Sequence, residues 1–314
     1  MKKIAFIFPG QGSQSIGMGK ELYENFAEAK AVFDAADEAL GFSITDMCFT
    51  GPEEELRKTF NTQPAILTVS IALFEVLKKH GIVPAIVAGH SLGEYSALVA
   101  AGSLSFKDAV QLVRKRGQYM QEAVPLGEGS MAAVLGLSRQ VVIDICTKAQ
   151  AEFGAVQAVN FNCPGQIVIA GTKLAVEKAA EMLKEAGAKR AILLPVSAPF
   201  HSTLMEPAAR KLAAELSVIT VEDTAIPVVA NVNGQIIAKG LEIKESLVKQ
   251  ADSPVEWEDC MAQMIAFGAT TFVEVGPGKV LTALTKKITK EVESLNVEDM
   301  VSLEKTLDYF KEVN

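Results

Sequence analysis

The stretch AIVAGHSLGEYSALVAAGSL, Ala85 to Leu104, decides how the chain is read. Its apolar run has strand character and breaks at Gly89-His90-Ser91-Leu92-Gly93, after which an alanine-rich helical segment begins. Gly-x-Ser-x-Gly between a strand and a helix is the nucleophile-elbow pattern, in which a serine occupies a strained turn while strand and helix pack closely around it. The pentapeptide alone also fits a tight turn whose serine merely caps the following helix. Its place after an apolar strand favours the elbow.

Working outward, KIAFIF near the N-terminus reads as a first strand, and TQPAILTVSIALFEVLKKHG has helical spacing and a Gly81 stop after basic residues. Strand-like runs alternate with helical patterns along most of the chain. This predicts an α/β fold, a hydrolase-like core with a mainly parallel sheet. Residues 126–198 differ. SMAAVLGL, AVQAVNFN, QIVIAG and AKRAILLPVS read as strands, with RQVVIDICTKAQAEF and TKLAVEKAAEMLKEAG as helices. That order, βαββαβ, is the ferredoxin-like pattern. It is read as an insertion, because the first kind of alternation resumes after Pro199 with IPVVANV and TFVEVG. The expected division is a core of residues 1–125 and 199–314 with a smaller subdomain at 126–198.

The bulk properties agree with such an organisation. At 314 residues, 49% of them hydrophobic, the chain supports a large domain plus a smaller one. A net charge of −8 argues against nucleic acid as the main partner. An anionic substrate would then need a local basic group. Four cysteines without a CxxC pairing suggest neither a zinc site nor a disulfide framework, and favour a reduced, cytoplasmic setting. The apolar stretch near the N-terminus, Ile4–Phe8, is far too short for a signal peptide. No continuous apolar run approaches the roughly 20 residues of a membrane span, so no membrane partner is expected.

A serine hydroxyl needs a base to act as a nucleophile, and the chain has three histidines. His80 sits at a helix end before Gly81, where a histidine commonly serves the last carbonyls. His90 adjoins Ser91, and neighbouring side chains diverge at an elbow. By elimination His201, in a loop bracketed by Pro199 and Pro207, is the best base. It lies about two thirds along the chain, an order that argues against an ordinary esterase and leaves open a dyad oriented by a backbone carbonyl. On the helix SFKDAVQLVRKRGQYMQEA, residues Ala109, Leu112, Val113, Gly117 and Met120 form one face, and Arg116 falls in its middle. A buried guanidinium needs a partner. Spacing alone favours a structural carboxylate over a substrate carboxylate, although the guanidinium fork suits either. The glycine-rich FPGQGSQSIGMGK fails as a nucleotide fingerprint, since Ser15 and Gln14 stand where glycines are required. It remains a turn able to present backbone N–H groups, as an oxyanion element or as a plain turn.

With these residues in hand, the chain resembles the malonyl-CoA:acyl-carrier-protein transacylase family over nearly its whole length. FPGQGSQ, TQPA, GHSLGEYSAL, RGQYMQEAVP, NFNCPGQIVIAG, PFHS, QADSPVEW and EVGPGKVL carry the likeness. The resemblance implies the same core with an inserted ferredoxin-like subdomain. It also implies Ser91 as acylated nucleophile, His201 as base, the Gln11 and Leu92 amides as oxyanion donors, and Arg116 as clamp for the malonyl carboxylate. Gln250 would hold His201 through its main-chain carbonyl, and Asn160 and Gln63 would lie near the cleft. Leu92 and Phe200 resemble malonyl-selective members, where methylmalonyl-selective relatives carry Gln and Ser. Many polyketide malonyl-transferring domains have His-Ala-Phe-His where this chain has Ser-Ala-Pro-Phe-His.

The expected partners are malonyl-CoA and acyl carrier protein, with no metal or redox cofactor and with the chain acting as a monomer. The rivals are a stand-alone polyketide acyltransferase, a serine esterase or thioesterase, and a non-catalytic carrier-binding module. Lys189 and Arg190 read either as part of a docking patch or as a solvated pair.

Overall fold

The computed structural model describes residues 3–196 and 198–313. Two sheets organise it. The larger contains β1 (Lys3–Phe8) and β2 (Ile86–Gly89), and the smaller is built from β3 (Gly129–Leu135), β4 (Val156–Cys163), β5 (Gln166–Thr172) and β6 (Arg190–Leu193). The larger sheet is completed by β7 (Val228–Val229), β8 (Ile236–Ile237), β9 (Ala269–Val275) and β10 (Glu293–Val297), in the order β10-β9-β1-β2-β7-β8. All its pairings are parallel except β7 with β8. Ala5–Phe8 and Ile86–Gly89 are buried, as continuous apolar runs are when helices cover both faces of a parallel sheet. Their register pairs Phe8 with Gly89, so the loops after β1 and β2 leave the same carboxyl edge side by side. Ligands of open α/β sheets bind at that edge.

The helix Thr59–Lys79 is buried nearly all round and brings Gln63 to the cleft near this edge. By length and composition it could cross a membrane, but it is packed inside the protein against the helices Ala27–Leu40, Leu92–Ala100 and Phe106–Glu122. It begins three residues before the stretch read as helical from the sequence. Two other elements are shorter than their apolar runs suggest. Pairing within IPVVANV covers only Val228–Val229, after which the chain turns inward and Asn231 packs against the elbow. β6 stops at Leu193, at the edge of its sheet.

The smaller sheet has the order β4-β5-β3-β6 with every pairing antiparallel, the ferredoxin-like arrangement. Alternation sets its two faces. Ala132, Val134, Ile167 and Ile169 pack under the helices Arg139–Phe153 and Lys173–Glu185, while Met131, Val159 and Val168 face the opposite way. A short parallel bridge fastens this sheet to the rest. Val255 N–H donates to Val159 O at 2.8 Å, and Phe161 N–H donates to Val255 O at 3.0 Å. All four cysteines are reduced and buried.

Candidate active site

The elbow explains its own glycines. A Cβ on Gly89 would stand 1.9 Å from the Gly93 carbonyl carbon, and one on Gly93 would stand 2.0 Å from Phe8 O. Backbone here approaches backbone too closely for any side chain. Ser91 between them has φ 53°, and His201 has φ 62°. These are the two non-glycine residues with positive φ among the described residues, and each such backbone costs of order 1–3 kcal/mol. Both are held by hydrogen bonds. Asn231 Oδ1 accepts from Ser91 N–H at 2.7 Å, while its Nδ2 donates to Gly89 O at 2.7 Å. The His201 loop is closed by Ser202 Oγ donating to Pro199 O at 2.7 Å.

The two strained residues meet: Ser91 Oγ lies 2.7 Å from His201 Nε2. His201 Nδ1 lies 2.8 Å from the main-chain carbonyl of Gln250, on the helix Gly240–Asp252. A carbonyl only accepts, so Nδ1 carries the proton and Nε2 presents its lone pair to the hydroxyl. Burial, and then the neighbouring Arg116 charge, lower the His201 pKa to about 3, so the imidazole is neutral and able to accept a proton. His90 points away. Its Nε2 bonds Asn162 Oδ1 at 2.9 Å and its ring packs on Trp257. His80 ends its helix with its ring edge-on to Phe26.

Arg116 corrects the structural ion pair that its spacing favours. No carboxylate lies within ion-pair distance of the guanidinium among the described residues, although Arg116 is 2% exposed. One Nη donates to Gln63 Oε1 at 2.7 Å; the other donates to Gln250 Oε1 at 3.0 Å and to Ser91 Oγ at 3.1 Å. All these acceptors are neutral, so the cation sits beside the serine with its charge uncompensated by direct contact. Arg116 shares the buried face of its helix with Leu112, Val113 and Met120. The flanking Lys115 turns outward to pair with Glu215.

A cleft between the two sheets opens onto this group. Gln11, Leu92, Phe200 and Asn160 line it, with Gln63 and Arg116 at its inner end. Gln11 lies in the loop after β1 and Leu92 opens the helix after the elbow, and their N–H groups donate no hydrogen bond among the described residues. Asn160 enters from β4, carried there by the bridge to Val255. Met131 and Val168 bring the outward face of the small sheet into the same wall. Lys189 and Arg190 are exposed around the start of β6. Ser197, where the chain departs from the polyketide pattern, lies outside the described residues.

Reading the residues alone misses Asn231, Glu94 and Asn162. Glu94 sits inside the elbow motif three residues after the serine, at a spacing that turns it back beneath the site; Asn231 and Asn162 carry no local signal.

The sequence model described as acyl transferase domain matches residues 5–312. The chain belongs to the acyl transferase domain family. Within that family it is 53% identical to the malonyl CoA-acyl carrier protein transacylase of Bacillus subtilis strain 168, over all of this chain and 99% of the relative. A solved malonyl CoA-acyl carrier protein transacylase from Clostridium perfringens superposes with a TM-score of 0.96 at 47% identity, covering 99% of this chain and 98% of that one. A complex of a type II polyketide acyl-carrier protein with its malonyl-transacylase matches at a TM-score of 0.95 and 44% identity, covering 98% and 99%. The resemblance drawn from the eight motifs is thus borne out, as is the acyltransferase fold.

Proposed function

We propose that the protein transfers a malonyl group from malonyl-CoA to the pantetheine thiol of an acyl carrier protein by way of a malonyl-Ser91 intermediate. His201 Nε2 takes the Ser91 proton as Oγ attacks the thioester carbonyl. The oxyanion of the tetrahedral intermediate rests on the Gln11 and Leu92 N–H groups. Its collapse breaks the C–S bond, and the proton on His201 passes to the departing thiolate of coenzyme A. The carrier thiol then gives its proton to His201 and attacks the malonyl ester, and Ser91 leaves with that proton restored. Such double displacement gives ping-pong kinetics and uses no resident metal or redox cofactor.

The observation that carries this reading is the buried guanidinium that touches the serine and lacks a carboxylate of its own. An acyl group ending in a carboxylate supplies the missing partner, and one without it leaves the cation unpaired. Phe200 and Asn160 shape the cleft wall beside it. Residues 126–198 are assigned as the subdomain that closes the cleft over the core.

Incubation with malonyl-CoA and several holo carrier proteins tests the proposal. Malonylated carrier is expected, and the preferred carrier distinguishes fatty acid from polyketide service. Accumulation of free malonate without malonylated carrier would replace the transferase with a thioesterase. Absence of any adduct on Ser91 would leave a carrier-binding module.

A further inference from the structure

Glu94 is fully buried on the helix Leu92–Ala100, and no basic group lies within ion-pair distance of it among the described residues. Burying a carboxylate in this way is costly unless it serves the groups around it. Its Oε2 accepts from Asn231 N–H at 3.0 Å and from Gln250 Nε2 at 2.7 Å, and its Oε1 has no partner. Burial pushes its pKa up to about 7; the Gln250 and Asn231 hydrogen bonds and the Arg116 charge oppose the rise.

The geometry around it has a direction. A carboxylate only accepts, so it turns the Gln250 amide with Nε2 toward itself and Oε1 toward Arg116. The same Nε2 also reaches Ser91 O at 2.9 Å, and the main chain of Gln250 holds His201. Asn231, whose N–H Glu94 also holds, sets the Ser91 amide. The Ser91 amide, the imidazole and the guanidinium are therefore each one residue removed from the Glu94 carboxyl. Above about pH 7, where its carboxyl is ionised, Glu94 and Arg116 are two buried opposite charges that share Gln250 between them and do not touch.

We propose that Glu94 is a positioning residue, which aligns Ser91, His201 and Arg116 through Gln250 and Asn231 and balances the Arg116 charge across Gln250, leaving the guanidinium free for an acyl carboxylate. This rests on the acyl-transfer reading above. It makes Glu94 a determinant of acid selectivity without contact to substrate.

The test is Glu94→Gln, assayed for kcat/KM with malonyl-CoA and acetyl-CoA, for melting temperature, and for the rate of Ser91 labelling by a fluorophosphonate, which has no carboxylate. A folded variant is expected to lose malonyl transfer by about tenfold or more, as removal of a charged hydrogen-bond partner does. Acetyl transfer should fall less and labelling should slow. Unchanged malonyl transfer, or equal loss of both acyl groups with unchanged labelling, would overturn the proposal. Should that variant fail to fold, Gln250→Ala leaves the main-chain carbonyl that holds His201 in place and removes the side-chain links to Glu94, Arg116 and Ser91 O. A malonyl-to-acetyl ratio that does not drop in that variant overturns the proposal equally. Wild-type protein that forms no malonyl adduct would defeat the acyl-transfer reading instead, and the labelling comparison would still test Glu94.

Discussion

In the proposed transfer a single guanidinium, Arg116, carries the choice of substrate. Replacing Arg116 with Ala removes a buried cation whose hydrogen-bond partners are all neutral acceptors, so no direct ion pair is broken by the change. Malonyl transfer should fall by about 3 kcal/mol, roughly a hundredfold, with acetyl transfer relatively spared. Parallel rates with the two coenzyme A esters measure this, and equal losses would contradict it. His201 makes a second prediction, because its pKa lies near 3 in the fold and at 6.5 when free. As the neutral base it should add no inflection of its own near 6.5, which initial adduct formation by Glu94→Gln, free of the Glu94 titration near 7, will reveal from about pH 5 to about pH 8. The same shift affects stability. Below pH 6.5 the unfolded chain binds the His201 proton and the folded chain does not, so this site loses stability as pH falls from 6.5 toward 3. Denaturant midpoints across that window should decline, and should decline less in His201→Gln. Ser91 and His201 were legible as residues because an elbow and a short list of histidines identify them. Gln250 was not, since it acts through a main-chain carbonyl that any residue possesses.

At the level of elements, the elbow tolerates no added atom. Gly93→Ala would drive a methyl into Phe8 O, joining β1 to the helix Leu92–Ala100 by a clash neither backbone can relieve. A loss of about 3 kcal/mol is expected from overpacking, read as a lowered urea midpoint. The opposite wall of the cleft hangs on Glu274 at the end of β9. Its two carboxylate oxygens accept Leu281 N–H at 3.0 Å and Thr282 N–H at 2.7 Å, capping the helix Val280–Ile288 whose Val280, Leu281 and Leu284 line the cleft. Glu274→Gln replaces one acceptor with a donor facing a donor, which should cost about 1–2 kcal/mol in the same assay. Sequence patterns revealed β1, β2, β3–β5 and the helix Arg139–Phe153 because long apolar periods specify them. They overstated β6 and β7, where an apolar run continues after hydrogen-bonded pairing has ended. The two-residue β8 offers too few positions for any period to register.

Across the whole molecule, the site exists only where two sheets meet. The loops after β1 and β2 of the large sheet supply Ser91, Gln11 and Leu92, the small sheet supplies Asn160 and an apolar wall, and the Val255 bridge joins the two. Val255→Pro deletes one N–H of that bridge and should lower kcat/KM for malonyl-CoA by about fivefold with an unchanged far-UV spectrum. The alternation of element types made both sheets legible in the sequence. Their docking was not, since it is written in a three-residue main-chain bridge and in side chains from distant segments. The burial of Cys48, Cys146, Cys163 and Cys260, each with its thiol pKa raised by desolvation, has a practical corollary. Native protein should leave an aromatic disulfide reagent uncoloured, so coenzyme A released at each turnover can be followed continuously against a flat baseline.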